Sequence, residues 1–296
     1  MVSLFSVPKP FKDSYKIIQE NAIQSWLLLD PVPEIILCGN EFGTSEICKK
    51  YNLMQIADIE KNSYGTPLLN DVFEKVIKLA RNEIICYINT DIIILPDFSK
   101  SLIDLVSVQK SAFLLTGNRW NIDIDKNVDF NYDWEKRLKK EVITKGKLNR
   151  PGIDYFIFRK SLYKTIPPFA IGRFSWDLWL AFEAHSLDCM VIDTTESMMA
   201  IHQNHDYPHL GLTKTYSKIN RVFLELNPEI QQNQKLSNWK IFKPTYKWYI
   251  FNGKKVAISW KAIIMNNFYT LRRILSWLIQ RILLKFLPVK PQISDI

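Results

Sequence analysis

Short runs of consecutive apolar residues alternate with segments of helical period through roughly the first two hundred residues, the pattern of βα units feeding a mostly parallel sheet. Residues 2–7 predict a strand. Residues 14–29 predict a helix with Ile17, Ile18, Ala22 and Trp26 on one stripe, and 34–38 a second strand. The polar loop Gly39-Asn40-Glu41-Phe42-Gly43-Thr44 then runs into a helix near 45–51. A short strand at 53–56 and a helix over 68–80 follow.

The next run, 84–95, is nearly continuous in Ile, Cys, Tyr and Leu and reads as one buried strand interrupted by Asn89-Thr90-Asp91. An unpaired buried carboxylate costs several kcal/mol, so Asp91 calls for a partner, a hydrogen-bonding role or a cation. An ordinary turn-capping Asp is the alternative. Beyond it the pattern predicts a helix over 97–108, a strand over 112–115 and a loop at 116–121. An irregular charged stretch over 123–150 is long enough to be a substrate-binding insertion. A strand over 151–159, a helix beginning near 174–179 with Ser175 or Asp177 at its start, and a strand over 193–201 complete the series; His202 lies in the loop beyond it. In an open sheet of this kind ligands bind past the carboxyl ends of the strands, where the Pro8, Gly39 and Asp91 loops fall.

Composition changes this picture mainly at the C-terminus. The chain has 296 residues, 47% hydrophobic and 23% charged, which fits a globular protein. Its formal charge of +9 is not evenly spread: residues 1–234 hold 27 Lys+Arg against 29 Asp+Glu, and 235–296 hold 12 against 1. The excess therefore belongs to the tail and its partner. Cys38, Cys48, Cys86 and Cys189 form no CxxC pair and read as reduced thiols; with no apolar leader at the start, a cytoplasmic protein is expected.

The order of these parts resembles the GT-A fold of nucleotide-sugar-dependent glycosyltransferases. The Gly39–Thr44 loop, Asn70 at the opening of the helix before the signature strand, Asn89-Thr90-Asp91 and the late His202 carry the resemblance, which covers about 1–225. It implies an α/β fold with a GT-A-like mixed, mostly parallel sheet flanked by helices. It implies a donor site drawing on Pro8, Lys9, Gly39, Asn40, Glu41, Asn70, Asn89, Asp91 and Arg119. It also implies a divalent ion on Asp91 and His202, with His205 or His209 as substitutes for the latter. Asn89-Thr90-Asp91 departs from the family's Asp-x-Asp by lacking its first acid.

The chemistry suits those residue types. A diphosphate leaving group is neutralised by a hard cation, Mn2+ or Mg2+, and a mixed oxygen and imidazole set leans toward Mn2+. The resemblance makes Asp177 the general base of an inverting transfer, and crowding by Phe174, Trp176 and Trp179 would raise its pKa toward useful basicity. An N-cap carboxylate is the structural alternative. Asp154 resembles the family's acid in the segment contacting the sugar. Arg119 either reaches the donor or pairs with Asp123 or Asp125. Lys9 and Lys214 are loop lysines near the expected diphosphate or simply solvated ones.

In the tail, lysines interleave with aromatics over 240–249, and 262–287 has helical period with Leu271, Leu275, Leu278, Ile279, Ile282 and Phe286 on one face. Arg272, Arg273, Arg281 and Lys285 leave no uncharged stretch long enough to span a bilayer. The expectation is a two-part chain: a catalytic domain at 1–234, and a basic tail at 235–296 whose helix docks peripherally on the anionic inner membrane face. The same face would also serve for packing on the body or in a homodimer. No groove-reading motif accompanies the charge, so nucleic acid is not the expected partner. The sequence therefore points to a metal-dependent glycosyltransferase acting on a nucleotide-sugar donor and a glycan or lipid-linked acceptor. A nucleotidyltransferase, or a non-catalytic nucleotide-sugar or membrane-binding protein, stands as the rival.

Overall fold

The computed structural model describes residues 1–109, 111–205, 227–237 and 248–259. His209, Lys214 and the tail helix expected at 262–287 lie outside them.

Seven strands run in one direction through the main sheet. They are β1 (Val2–Ser6), β2 (Glu34–Cys38), β3 (Met54–Ile56), β4 (Ile84–Ile88), β6 (Phe113–Thr116), β10 (Met190–Asp193) and β12 (Trp248–Phe251). The central ones, β1, β2, β4 and β6, are buried along their whole length. β9 (Tyr155–Arg159) runs antiparallel between β4 and β6, and β13 (Val256–Ile258) antiparallel at the edge beside β12. The order is β13-β12-β10-β6-β9-β4-β1-β2-β3. The α/β class with a mixed, mostly parallel sheet flanked by helices is thus as expected. Two strands from the segment assigned to the basic tail, β12 and β13, complete this sheet.

Alternation along the strands sends side chains to two cores. Leu4, Leu37, Cys86 and Ile88 meet Ala22, Ile23 and Trp26 of α1 (Asp13–Leu27). Phe5, Ile36, Ile85 and Tyr87 meet Val72, Phe73 and Val76 of α3 (Leu69–Leu79), and Leu180, Ala181 and Ala184 of α6 (Trp176–Ser186). Each fully buried large apolar side chain contributes about 1.5–3 kcal/mol. Cys38, Cys48, Cys86 and Cys189 are buried thiols, and burial pushes Cys48 up to about 11 and Cys189 up to about 12, so none is reactive at neutral pH. The remaining helix of this half is α2 (Thr44–Tyr51), while α4 (Asp97–Val108) follows the signature run exactly where the periodicity puts it.

The oily run at 84–95 is not one strand. β4 ends at Ile88, the polar triplet makes a turn closed by Ile92 N–H donating to the Asn89 carbonyl at 3.1 Å, and β5 (Ile92–Ile94) starts a second sheet. That sheet has the order β5-β11-β7-β8, with β7 (Asn118–Ile122), β8 (Lys147–Ile153) and β11 (Ala200–Gln203). The expected loop at 116–121 is therefore mostly strand. The stretch at 123–150 is not irregular throughout, since it carries α5 (Trp134–Lys145), whose Trp134, Leu138 and Val142 pack beneath the small sheet on Ile93, Ile122 and Ile201. The strand expected over 151–159 breaks at Asp154, and that over 193–201 breaks into β10 and β11. Polar residues sit at each of these breaks because the chain there leaves one sheet for the other.

Candidate functional site

Asp91 stands at the crossing from the main sheet to the small one. Thr90 before it shares a 2.6 Å hydroxyl contact with Ser6 at the end of β1, and the Trp26 indole N–H holds the Ile92 carbonyl after it at 2.9 Å. Gln203 donates from its backbone and its side-chain amide to the Asp91 carbonyl, at 3.3 and 3.2 Å. Both flanks of the acid are thereby fixed, and its carboxylate turns toward two imidazoles.

His205 Nε2 lies 2.9 Å and His202 Nε2 3.5 Å from the same oxygen, Asp91 Oδ2. One ligand atom from each of the three lies within 4.8 Å of the others. His202 is not a loop residue: it sits inside β11, paired with Ile92 of β5 and Asn121 of β7, and is 1% exposed. His205 is likewise buried and joins it, so both histidines converge on the one acid where the sequence offered them as substitutes. Burial lowers the His202 pKa against the pull of Asp91, leaving the neutral imidazole a metal requires. Burial would raise the Asp91 carboxyl, but the two imidazoles outweigh it and hold it well below the usual range. Asp91 Oδ1 is buried without a hydrogen-bond partner among the described residues. A carboxylate and two imidazoles with one orphaned acceptor oxygen are a donor set that fits a divalent cation.

The cluster borders a cavity of about 490 Å³ beyond the carboxyl ends of β1 and β4. Pro8, Lys9, Glu41, Asn89 and Asp91 line it, as does Trp176, which with Phe174 and Trp179 the sequence offers either as a stacking face for an acceptor sugar or as core; Lys12, Tyr15, Thr66, Tyr87 and Arg173 also line it and are not singled out by the sequence as binding groups. Lys9 is held by a two-way bond between its backbone and the Gln19 amide, at 2.7 and 2.9 Å. Burial lowers its pKa while the Asp91 charge opposes the shift, so the ammonium lies in the field of the metal-type cluster. Glu41 is paired with Lys61 at 2.8 Å. Gly39, Asn40 and Asn70 do not line the cavity; Asn70 Oδ1 is buried with no partner among the described residues.

Asn89 is engaged by a second carboxylate, that of Asp154. Its amide donates to Asp154 Oδ1 at 2.6 Å, and its backbone N–H to the Asp154 carbonyl at 3.0 Å. Arg119 pairs with the same Asp154 oxygen at 2.6 Å, not with Asp123 or Asp125, because β7 carries it inward beside β8 rather than out into solvent. Asp154 Oδ2 remains buried and unpartnered among the described residues.

Asp177 sits in the first turn of α6, directly after the cavity residue Trp176. No side-chain capping bond is made at the helix start; Asp177 Oδ1 accepts from the next residue, Leu178 N–H, at 2.8 Å. Burial raises its pKa, and the Asp154 charge adds to the shift. The fields of Asp91, Asp154 and Asp177 all reach Tyr87, whose ring packs edge-on to Trp176 with centroids 5.1 Å apart.

No family model and no curated protein matches the chain. Solved structures do. Glucosyl-3-phosphoglycerate synthase from Mycobacterium tuberculosis, bound to Mn2+, UDP and phosphoglyceric acid, is 14% identical; the match covers 71% of this chain and 73% of that one at a TM-score of 0.44. TarS residues 1–349 from S. aureus with UDP-GlcNAc is 13% identical over 80% of this chain and 70% of that one, TM-score 0.45. A putative nucleotide-diphospho-sugar transferase from Desulfovibrio desulfuricans G20 is 12% identical over 80% and 96%, TM-score 0.40. Likeness at this level transfers no residue role and no substrate.

Proposed function

We propose that this protein is a metal-dependent glycosyltransferase that moves a sugar from a nucleotide-sugar donor to a glycan or lipid-linked acceptor, with inversion at the anomeric carbon. The observation that carries the reading is the convergence of Asp91, His202 and His205 at the edge of a cavity also lined by Lys9, Lys12 and Arg173. A divalent ion flanked by cations is a place for a diphosphate, and the apolar faces of Tyr87 and Trp176 leave room for uncharged groups beside it.

Asp91, His202 and His205 would hold the ion, Mn2+ in preference to Mg2+ given two imidazoles. When bound, it supplies charge neutralisation of the departing diphosphate. Lys9 and Lys12 attract the same phosphates. Pro8, Gly39, Asn40, Glu41, Asn70, Asn89 and Arg119 are assigned to holding the donor, through the loops of the cavity or behind them. Asp154, fixed by Asn89 and Arg119, keeps one oxygen for a sugar hydroxyl. Asp177 takes the proton from the attacking acceptor hydroxyl; its raised pKa makes it a stronger base than an exposed carboxylate.

The acceptor side is assigned to the inner membrane face, with the part of the basic tail beyond β13, residues 260–296, as the anionic-lipid anchor. No helix among the described residues is long and apolar enough to cross a membrane. Chains truncated after Ser259, keeping β12 and β13, should lose binding to anionic vesicles; retained binding places the anchor elsewhere. For the reaction itself, hydrolysis of a panel of nucleotide-sugars with Mn2+ is the test. Turnover with one donor supports transfer, whereas tight donor binding without turnover under any condition favours a binding protein.

A further inference from the structure

The wall of the cavity opposite the metal-type cluster is tied together by one short helix, α7 (Pro228–Leu236). Two loops form that wall: Gly65, Thr66 and Pro67 in one, Ile171, Gly172 and Arg173 in the other. Glu229 in the first turn of α7 grips both. Its Oε2 accepts from Arg173 Nε at 2.8 Å and Nη2 at 2.6 Å, and its Oε1 from Asn62 Nδ2 at 2.8 Å. Asn62 in turn folds the first loop, its Oδ1 accepting from Tyr64 N–H at 2.9 Å and Thr66 N–H at 3.0 Å. Asn233, one turn further on and fully buried, holds the second loop through Ala170 N–H at 2.9 Å, the Ala170 carbonyl at 3.0 Å and the Phe174 carbonyl at 3.2 Å. The Asn227 side chain caps the helix on Glu229 and Ile230 N–H.

The ion pair is nearly dry, with Arg173 and Glu229 side chains 13% and 6% exposed. Its geometry is one-sided. Arg173 spends Nε and Nη2 on one oxygen, with Nη2 also 3.4 Å from Thr66 Oγ1, which leaves Nη1 without a partner among the described residues. A guanidinium oriented along one edge keeps its other donors for a ligand, and a fixed fork is the usual recognition group for phosphate. A structural ion pair with no such role would have no reason to border a cavity that already holds Lys9 and Lys12.

We propose that Arg173 is an anion-binding residue of the cavity and that Glu229 is its positioning residue, so that α7 latches the two wall loops into the shape that receives a diphosphate. The inference rests on the nucleotide-sugar reading for the nature of the anion, but not for its charge. The test uses the full chain with inorganic pyrophosphate and a panel of nucleoside diphosphates (UDP, GDP, ADP, CDP, dTDP) as probes, Mn2+ present, and calorimetric affinities. Arg173→Gln and Glu229→Gln should each weaken pyrophosphate binding about tenfold, and the double variant should be no weaker than Arg173→Gln alone. Asn227→Ala, which loses the cap but keeps the pair, should match Glu229→Gln in lowered thermal midpoint while keeping wild-type affinity. Losses that add in the double variant, an unchanged Glu229→Gln affinity, or an equal affinity loss in Asn227→Ala overturn the positioning role. Wild-type binding of pyrophosphate but of no nucleoside diphosphate overturns the nucleotide-sugar reading and leaves this one standing; binding of neither overturns both.

Discussion

The Asn89 amide donates to Asp154 Oδ1 at 2.6 Å, so the residue standing where a first metal acid is expected is spent on a second carboxylate instead. Arg119 shares that oxygen, which makes Asn89-Asp154-Arg119 one polar unit around the buried Asp154, beside Asp91 and the two histidines. Restoring an acid at position 89 should therefore not rebuild a metal ligand. Asn89→Asp places a carboxylate against Asp154, and the loss of the charged hydrogen bond plus the new repulsion should cost about 2–3 kcal/mol at neutral pH. The introduced carboxyl has its pKa raised in the fold, so the folded state binds the extra proton and the deficit relative to wild type shrinks as pH falls toward 4. Thermal midpoints of both proteins from pH 4 to 7.5, with Mn2+ affinity alongside, measure this; a gain in Mn2+ affinity contradicts it.

The metal cluster gives a graded expectation. Asp91→Asn removes the only anion of the three and should reduce Mn2+ affinity by roughly a hundredfold, while His202→Gln and His205→Gln should each cost roughly tenfold or more. Titration calorimetry of the metal alone reads this without any reaction. If His205→Gln binds as the wild type does, only Asp91 and His202 form the site.

Asp177 separates binding from chemistry. Asp177→Asn should leave donor affinity within about twofold and reduce transfer by at least a hundredfold, the range for loss of a general base. The variant also removes a buried acid, so its thermal midpoint should hold or rise. Retained transfer assigns the proton to another group.

A fourth expectation concerns stability away from the cavity. Burial lowers the His185 pKa to about 4. The unfolded chain, near 6.5, binds the proton first as pH falls, so the histidine's contribution is intact above about pH 6.5 and is lost between there and about pH 4. By pH 5 the loss should be about 2 kcal/mol. Unfolding of His185→Gln should show a shallower decline over that window than the wild type.

Much of the frame was legible because its periodicities are local. β2 and α4 fall exactly where the pattern puts them, and α1 and α3 within a residue or two, since a stripe such as Ile18, Ala22 and Trp26 and a run such as Ile35 to Cys38 speak for themselves. What was not legible is the second sheet. β5, β7 and β11 are three to five residues long and adjoin strands of the main sheet, so pattern alone fuses them with their neighbours; register across the chain, such as His202 opposite Ile92, decides where one ends. The site divides in the same way. Asp91 declares itself as an acid among isoleucines, and His202 by its place in the series. Lys12 and Arg173 carry no local signal. Arg173 becomes meaningful only once Glu229, 56 residues later, is seen against it.

The change of sheet at Asn89-Thr90-Asp91 puts the candidate site at the joint between two sheets. Of the three candidate ligands, Asp91 stands where the chain enters the small sheet and His202 and His205 lie in and just after β11, with α5 packed beneath that sheet. The cationic and aromatic wall hangs on loops of the main sheet and on α7. Contacts from Ser6 to Thr90, from Trp26 to Ile92 and from Tyr15 to His205 join the two, so repacking α1 or the end of β1 would shift the candidate ligands, whereas the groove could be reshaped at 62–67 and 170–174, away from those contacts.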